Sequence, residues 1–276
     1  MGPATANSSP SPSGCETAWR LIAVYALSVL AIAGLLALVA SAFVPLPLWK
    51  IFRRCVSIAA AVSLWLIVRR RPGRSLRAFG FTASPHHLAL GIGLGLGSVA
   101  LVIAAGFALG CYTVQVTPDL WRLWRVAALF LPAALLIGVL EELVFRGLLL
   151  QTLLACSRTT AVLVSSLAYS LVHVRTTGMS QLVAMELGGL FLLGVVLSST
   201  YLKTGQLYLA VGMHAALAYA ARVNKLVMHI DPELWWLGGT NRLINGLLGW
   251  GAVLLLGVLI WRWPAPSERG GVSHAG

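Results

Sequence analysis

The chain has 276 residues, of which 58% are hydrophobic and only 10% charged. A soluble domain carries about 25% charged residues, so this balance excludes a water-soluble globule and specifies a chain solvated by lipid. The net charge of +12 would suit nucleic acid, but the arginines collect at the ends of apolar runs and no aromatic-interleaved basic patch accompanies them. A crossing helix needs roughly 20 apolar residues. Open sheets leave backbone groups unpaired in lipid, and the runs here are too long for barrel strands. The predicted fold class is all-α, a polytopic transmembrane helix bundle of about eight spans.

Residues 1–17, "MGPATANSSPSPSGCET", are rich in Ser, Pro and Gly and read as a disordered N-terminal tail. The bundle follows over 18–262, with spans near 21–44, 52–68, 86–109, 126–155, 160–174, 182–202, 206–222 and 246–262. The first run is too long for a signal-peptide core, so it reads as an uncleaved span despite "ASA" at 40–42. The second begins beside Arg53 and Arg54, which can snorkel to a headgroup layer. The fifth and seventh are short and carry histidines, so they are expected inside the bundle. Residues 263–276 read as a flexible C-terminal tail.

The arginine-rich loop "RRRPGRSLR", 69–77, is assigned to the cytoplasm by the positive-inside rule. Both termini then lie in the cytoplasm of what reads as a bacterial inner-membrane protein. Anionic lipid is the expected partner of these arginines, and nucleic acid is not. Cys15, Cys55, Cys111 and Cys156 are scattered without a CxxC pair, so no disulfide framework is expected. Cys55 and Cys156 read as small apolar fillers. The glycines of "GIGLGLG", 91–97, and Gly188, Gly189 and Gly194 read as helix-packing faces.

Ionisable residues inside a span are costly and mark functional sites. The fourth span carries "EELVFRG", 141–147; the fifth carries His173, the sixth Glu186 and the seventh His214. Glu142 and Arg146 are four apart and share a helix face, so they are expected to pair. Glu141 points about 100° around the helix and has no local partner, which leaves it as a candidate general base. A histidine beside it can position a water or ligate a metal. No HExxH pattern is present. Glu186 reads as structural rather than catalytic, either pairing with Arg175 at the end of the preceding span or exposed at an interface.

"EELVFRG" resembles the EExxxR motif of the CPBP family, the CAAX protease and bacteriocin-processing group also called Abi. "YSLVH", 169–173, resembles its FxxxH motif with Tyr169 in place of Phe. The stretch 190–214 resembles the segment that ends on the family's next histidine. Residues 125–220 carry the similarity. It implies an intramembrane endopeptidase acting on a membrane-anchored protein or peptide. Glu141 would activate a water and His173 would help to hold it. His214 would stabilise the oxyanion, with Glu142 and Arg146 in support and Tyr169 and Tyr219 as further supporting or substrate-binding residues. No cofactor is predicted, zinc at Glu141, His173 and His214 being the alternative. The chain departs from the family pattern at Ala218, where Asn or Asp is usual. That departure motivates a second reading, a non-catalytic scaffold, immunity factor or partner-binding protein that keeps the fold. A proton-coupled carrier is a third, weakened by the lack of an inverted repeat.

Overall fold

The computed structural model describes residues 12–69, 76–81, 84–173, 180–239 and 243–263. The helices are α1 (Pro12–Ser41), α2 (Leu48–Arg69), α3 (Pro85–Ala108), α4 (Leu120–Glu142), α5 (Gln151–Leu153), α6 (Arg158–Leu171), α7 (Gln181–Thr204), α8 (Tyr208–Val227), α9 (Trp235–Gly238) and α10 (Leu247–Arg262). Every apolar run read from the sequence forms a helix. Five helical stretches are long and apolar enough to cross a membrane: α1, α2, α3, the continuous Leu120–Leu153 stretch and α7. The two-residue-period exception is a short antiparallel ribbon, β1 (Tyr112–Val114) against β2 (Met228–Ile230), which pairs Thr113 with His229.

Local chemistry sets the helix ends. Asp119, Ser157 and Ser180 each accept a hydrogen bond from a backbone N–H in the first turn of α4, α6 and α7, satisfying a donor the helix leaves orphaned. Gly205 closes α7 at φ +65°, a conformation that glycine adopts without a Cβ clash. The chain thereby turns within three residues into α8.

Helix α8 is the axis of the bundle, packed against α3 on one side and α4 on another, with nine buried residues. Its neighbours reach it through glycines. A Cβ on Gly91 would overlap the Leu209 carbonyl, and one on Gly95 would lie 2.7 Å from the Ala216 Cβ. Gly138 brings α4 onto Val211 and Ala215 in the same way. The expected packing role of "GIGLGLG" is thus filled by Gly91 and Gly95, while Gly93 and Gly97 face open space. Gly188 and Gly189 admit Trp250, and Gly194 lies against Ser166.

Two expectations need correction. The tail assigned to 1–17 is helical from Pro12 onward, because α1 extends to cap the α5–α6 corner; residues 1–11 lie outside the described residues. Cys156 is not a filler. It forms a disulfide with Cys15, 141 residues away in sequence, joining the start of α1 to the α5–α6 turn. Spacing rules for cysteine read local patterns and cannot see a pair made by two helices of different hairpins. The tail 264–276, Arg175 and most of the 69–77 loop lie outside the described residues.

Two measurements check this packing. Alkylation of the denatured, unreduced protein followed by intact mass should label Cys55 and Cys111 only; four labelled thiols would contradict the pairing. Gly91→Ala should lower thermal stability by about 1–3 kcal/mol, the cost of overpacking, whereas Gly93→Ala should leave it unchanged or slightly higher.

Candidate active site

The site is built where α4 changes character. The helix runs without a break from Glu142 into a π-helical stretch, Leu143–Leu150. A π turn closes on i→i+5 bonds and is frequent at functional positions. Glu141 and Glu142 are the last two residues before it.

Glu142 and Arg146 are completely buried. They form the expected pair, Nη1 of Arg146 donating to Oε1 of Glu142 at 2.9 Å. The other guanidinium arm, Nη2, donates to the Gly194 carbonyl of α7 at 3.0 Å. The guanidinium also lies 4.8 Å from the Tyr169 ring centroid, a cation–π contact that strengthens when water is excluded. A third partner was not visible in the sequence: His214 Nδ1 lies 2.8 Å from the same Oε1. One carboxylate oxygen therefore ties α4 to α8, while its arginine ties α4 to α7.

Glu141 stands on the neighbouring face. Its Oε2 is 3.4 Å from His173 Nε2 and 3.6 Å from His214 Nε2. The outer faces of both imidazoles are fixed. His173 Nδ1 is 2.7 Å from the Tyr169 carbonyl oxygen, which can only accept, so Nδ1 carries a proton. Glu142, ionised against Arg146, likewise only accepts from His214 Nδ1. Both Nε2 atoms consequently converge on Glu141 Oε2, a buried oxygen that makes no hydrogen bond within the protein. Tyr169 sits between the rings, 4.7 Å from His173 and 5.7 Å from His214 by centroids. Its other edge packs on Phe145.

These groups floor a cavity of about 440 Å³. Five residues singled out in the sequence, Glu141, Glu142, Arg146, His173 and His214, are thus brought together, with Tyr169 among them. Tyr219 is not. Its hydroxyl donates to the Ala127 carbonyl at 3.0 Å, because the residue one place beyond Ala218 points about 100° away. It is a tie between α8 and α4. Ala218 does line the cavity, so the position that carries an amide in the resemblance faces the site without one. The wall also contains Ser57 of α2, Phe130 of α4, and Arg222 and Lys225 of α8. The last two follow Ala218 at helical spacing on its own face, a signal the sequence offered. Among the described residues, no group of three or more His, Cys, Asp or Glu has the arrangement of a metal site.

The fold and this centre define a polytopic helical membrane protein with an enclosed carboxylate–histidine cluster. Residues 122–220 match the family model described as Rce1-like, type II CAAX prenyl endopeptidase Rce1-like. That segment contains every residue of the cluster, and the match supports a likeness to the CPBP/CAAX protease family. No curated protein matches the chain.

Removing one partner of a buried pair leaves an uncompensated charge and costs about 3–5 kcal/mol. Arg146→Ala should therefore destabilise the protein by about that much in a detergent unfolding assay. Tyr219→Phe should cost only about 1 kcal/mol, the net worth of one hydrogen bond, and leave turnover intact. A large activity loss in Tyr219→Phe would return that residue to the site.

Proposed function

We propose that the protein is an intramembrane endopeptidase that hydrolyses a peptide bond in a membrane-associated protein or peptide, using a water activated by Glu141. The observation that carries this reading is the convergence of His173 Nε2 and His214 Nε2 on Glu141 Oε2. Two carboxylates face one guanidinium here, and a single further proton balances the cluster in its low-dielectric surroundings. Placed on His214 Nε2, that proton makes an imidazolium braced by Glu142. Glu141 and His173 Nε2 are then left as two acceptors, which match the two O–H donors of one water. The water's lone pair is directed into the cavity.

In the reaction the water oxygen bonds to the scissile carbonyl carbon as Glu141 takes one of its protons. The carbonyl π pair moves to oxygen, and the His214 Nε2–H donates to that oxyanion. Glu141 then returns its proton to the leaving nitrogen as the C–N bond breaks. Preorganised donors at the oxyanion are a large part of such catalysis, and His214 is the one this site supplies. The substrate must enter in extended form, since a helix keeps its carbonyls bonded. No cofactor enters this reading. On this reading the protein works in a bacterial cytoplasmic membrane, in contact with anionic lipid.

Ala218 favours a second reading, a binding scaffold that has kept the fold without the chemistry. The two separate in one experiment. Mass-spectrometric mapping of new termini among membrane proteins, comparing wild type with Glu141→Gln at matched levels, should show termini that vanish in the variant. Identical termini in both would support the scaffold. Turnover of a substrate so identified should survive zinc chelation, with less than stoichiometric zinc in the purified protein; loss on chelation and recovery on zinc addition would move Glu141, His173 and His214 to metal ligands.

A further inference from the structure

Strand β2 continues directly from the C-terminal end of α8, and only one of its edges is used. The backbone N–H of Gln115 donates to the Val227 carbonyl, and that of Asp231 to the Cys111 carbonyl. Thr113 stands opposite His229. The alternation of an antiparallel pair therefore turns residues 227, 229 and 231 toward β1, and Met228 and Ile230 away from it. The Met228 N–H closes α8 on the Asn224 carbonyl. The Met228 carbonyl and both backbone groups of Ile230 lie on an outer edge, and among the described residues the sheet has no third strand to cover it. A hollow of about 370 Å³ runs along this edge. Residues 228–232 line it without a gap, as an edge does; the face of a strand would offer every second residue. From β1 it takes only Gln115, so the opposite edge, carried by Tyr112 and Val114, opens elsewhere. The wall across from β2 is the end of α8, where Asn224 Nδ2 is buried with no hydrogen-bond partner. Ala221 and Leu243 line both this hollow and the cavity over Glu141, so the two spaces share a wall.

Building on the peptidase reading of Glu141, we propose that the substrate segment on one side of the cut bond lies in this hollow as a third strand, paired with the outer edge of β2. The hydrogen-bonding groups set the class of ligand. Ile230 N–H and Asn224 Nδ2 donate, while the Ile230 and Met228 carbonyls accept. A carboxylate or an ammonium group can use only one of these kinds. An extended peptide carries N–H and C=O groups together along each edge and can use both. Adding a strand to an exposed edge draws its affinity from the main chain, so the site tolerates varied side chains. It also prepares the reaction. A carbonyl bonded within a helix is shielded, whereas a chain already laid along β2 enters the neighbouring cavity extended. The shared wall of Ala221 and Leu243 lets one continuous chain occupy both spaces.

The test is binding, so that it stands even if no peptide is turned over. Full-length Glu141→Gln protein in phosphatidylcholine nanodiscs is offered a fluorescent random-sequence decapeptide pool. A second pool has every backbone nitrogen methylated, which removes its donors. The unmethylated pool should bind about tenfold more tightly and should slow deuterium exchange at the Ile230 amide by about as much. Proline is tolerated where a strand's N–H faces away from its partner, so Ile230→Pro deletes the donor and keeps the ribbon. It should weaken binding about fivefold, as should Asn224→Ala. Val114→Pro makes the same change on the outer edge of β1 and should leave binding unchanged. Thermal midpoints show which variants fold, and exchange at Ile230, read without any ribbon substitution, decides the matter if Ile230→Pro does not. Equal binding of the two pools, an unprotected Ile230 amide, or binding lost in Val114→Pro but kept in Ile230→Pro overturns the proposal. So does a dimer in detergent that Ile230→Pro converts to monomer with no protection by peptide, since the edge then serves a second copy. In the wild-type background, absence of any cleaved peptide together with retained protection of Ile230 counts against the peptidase reading alone. Cleavage without that protection counts against the strand addition alone.

Discussion

A carboxylate buried in a membrane bundle must be neutralised by something equally buried, and the answer found around Glu142 orders the rest of the protein. Its Oε1 receives Arg146 from one turn along its own helix and His214 from α8. Arg146 passes the constraint on to the Gly194 carbonyl of α7. Four groups on three helices are fixed by one oxygen atom and its arginine. Such a network is strong only when its geometry is complete, since each ion gave up several kcal/mol of hydration to enter. Glu141 inherits its position from this arrangement. It need not be paired itself, because the residue beside it already anchors the helix.

The glycines make that geometry reachable. His214 can touch Glu142 only if α8 lies close to α4, and Gly138 removes the Cβ that would hold them apart, its own ideal Cβ falling 3.0 Å from the Val211 carbonyl. On the opposite side Gly91 and Gly95 let α3 press α8 into place. Without a hydrophobic drive between helices in lipid, close backbone approach and buried polar bonds supply the association. Small residues and the charged centre are two parts of one packing solution.

Much of the centre was legible because lipid makes polar residues conspicuous. Glu141, Glu142, Arg146, His173 and His214 stand out by cost alone, and the four-residue spacing of Glu142 and Arg146 predicts their bond. What the one-dimensional pattern could not give was the handover of Glu142 to His214, which depends on which helices become neighbours. Tyr219 was misread for a local reason, since one residue of a helix is enough to turn a side chain out of a cavity. Arg222 lay within reach of the same arithmetic, four residues past Ala218, but it stood at the end of an apolar run like the other arginines and was not singled out. Cys15 and the first turns of α1 were hidden by a Ser- and Pro-rich neighbourhood that resembles unstructured chain.

The π-helical stretch from Leu143 to Leu150 has a genetic reading. A π turn is what an α-helix becomes when it absorbs one surplus residue without shifting either end. Upstream, Glu141 and Glu142 keep the face that meets α6 and α8; downstream, Leu150 and Leu153 keep the face buried against α1 and α6. Deleting a single residue within the stretch would therefore let it rewind as ordinary α-helix with the acids and the downstream leucines still on their own faces. The same deletion in a regular α-helical part of α4 would instead rotate one half of the helix against the other by about 100°. The π stretch is thus a place where the chain can change length by one residue and keep the register of the centre.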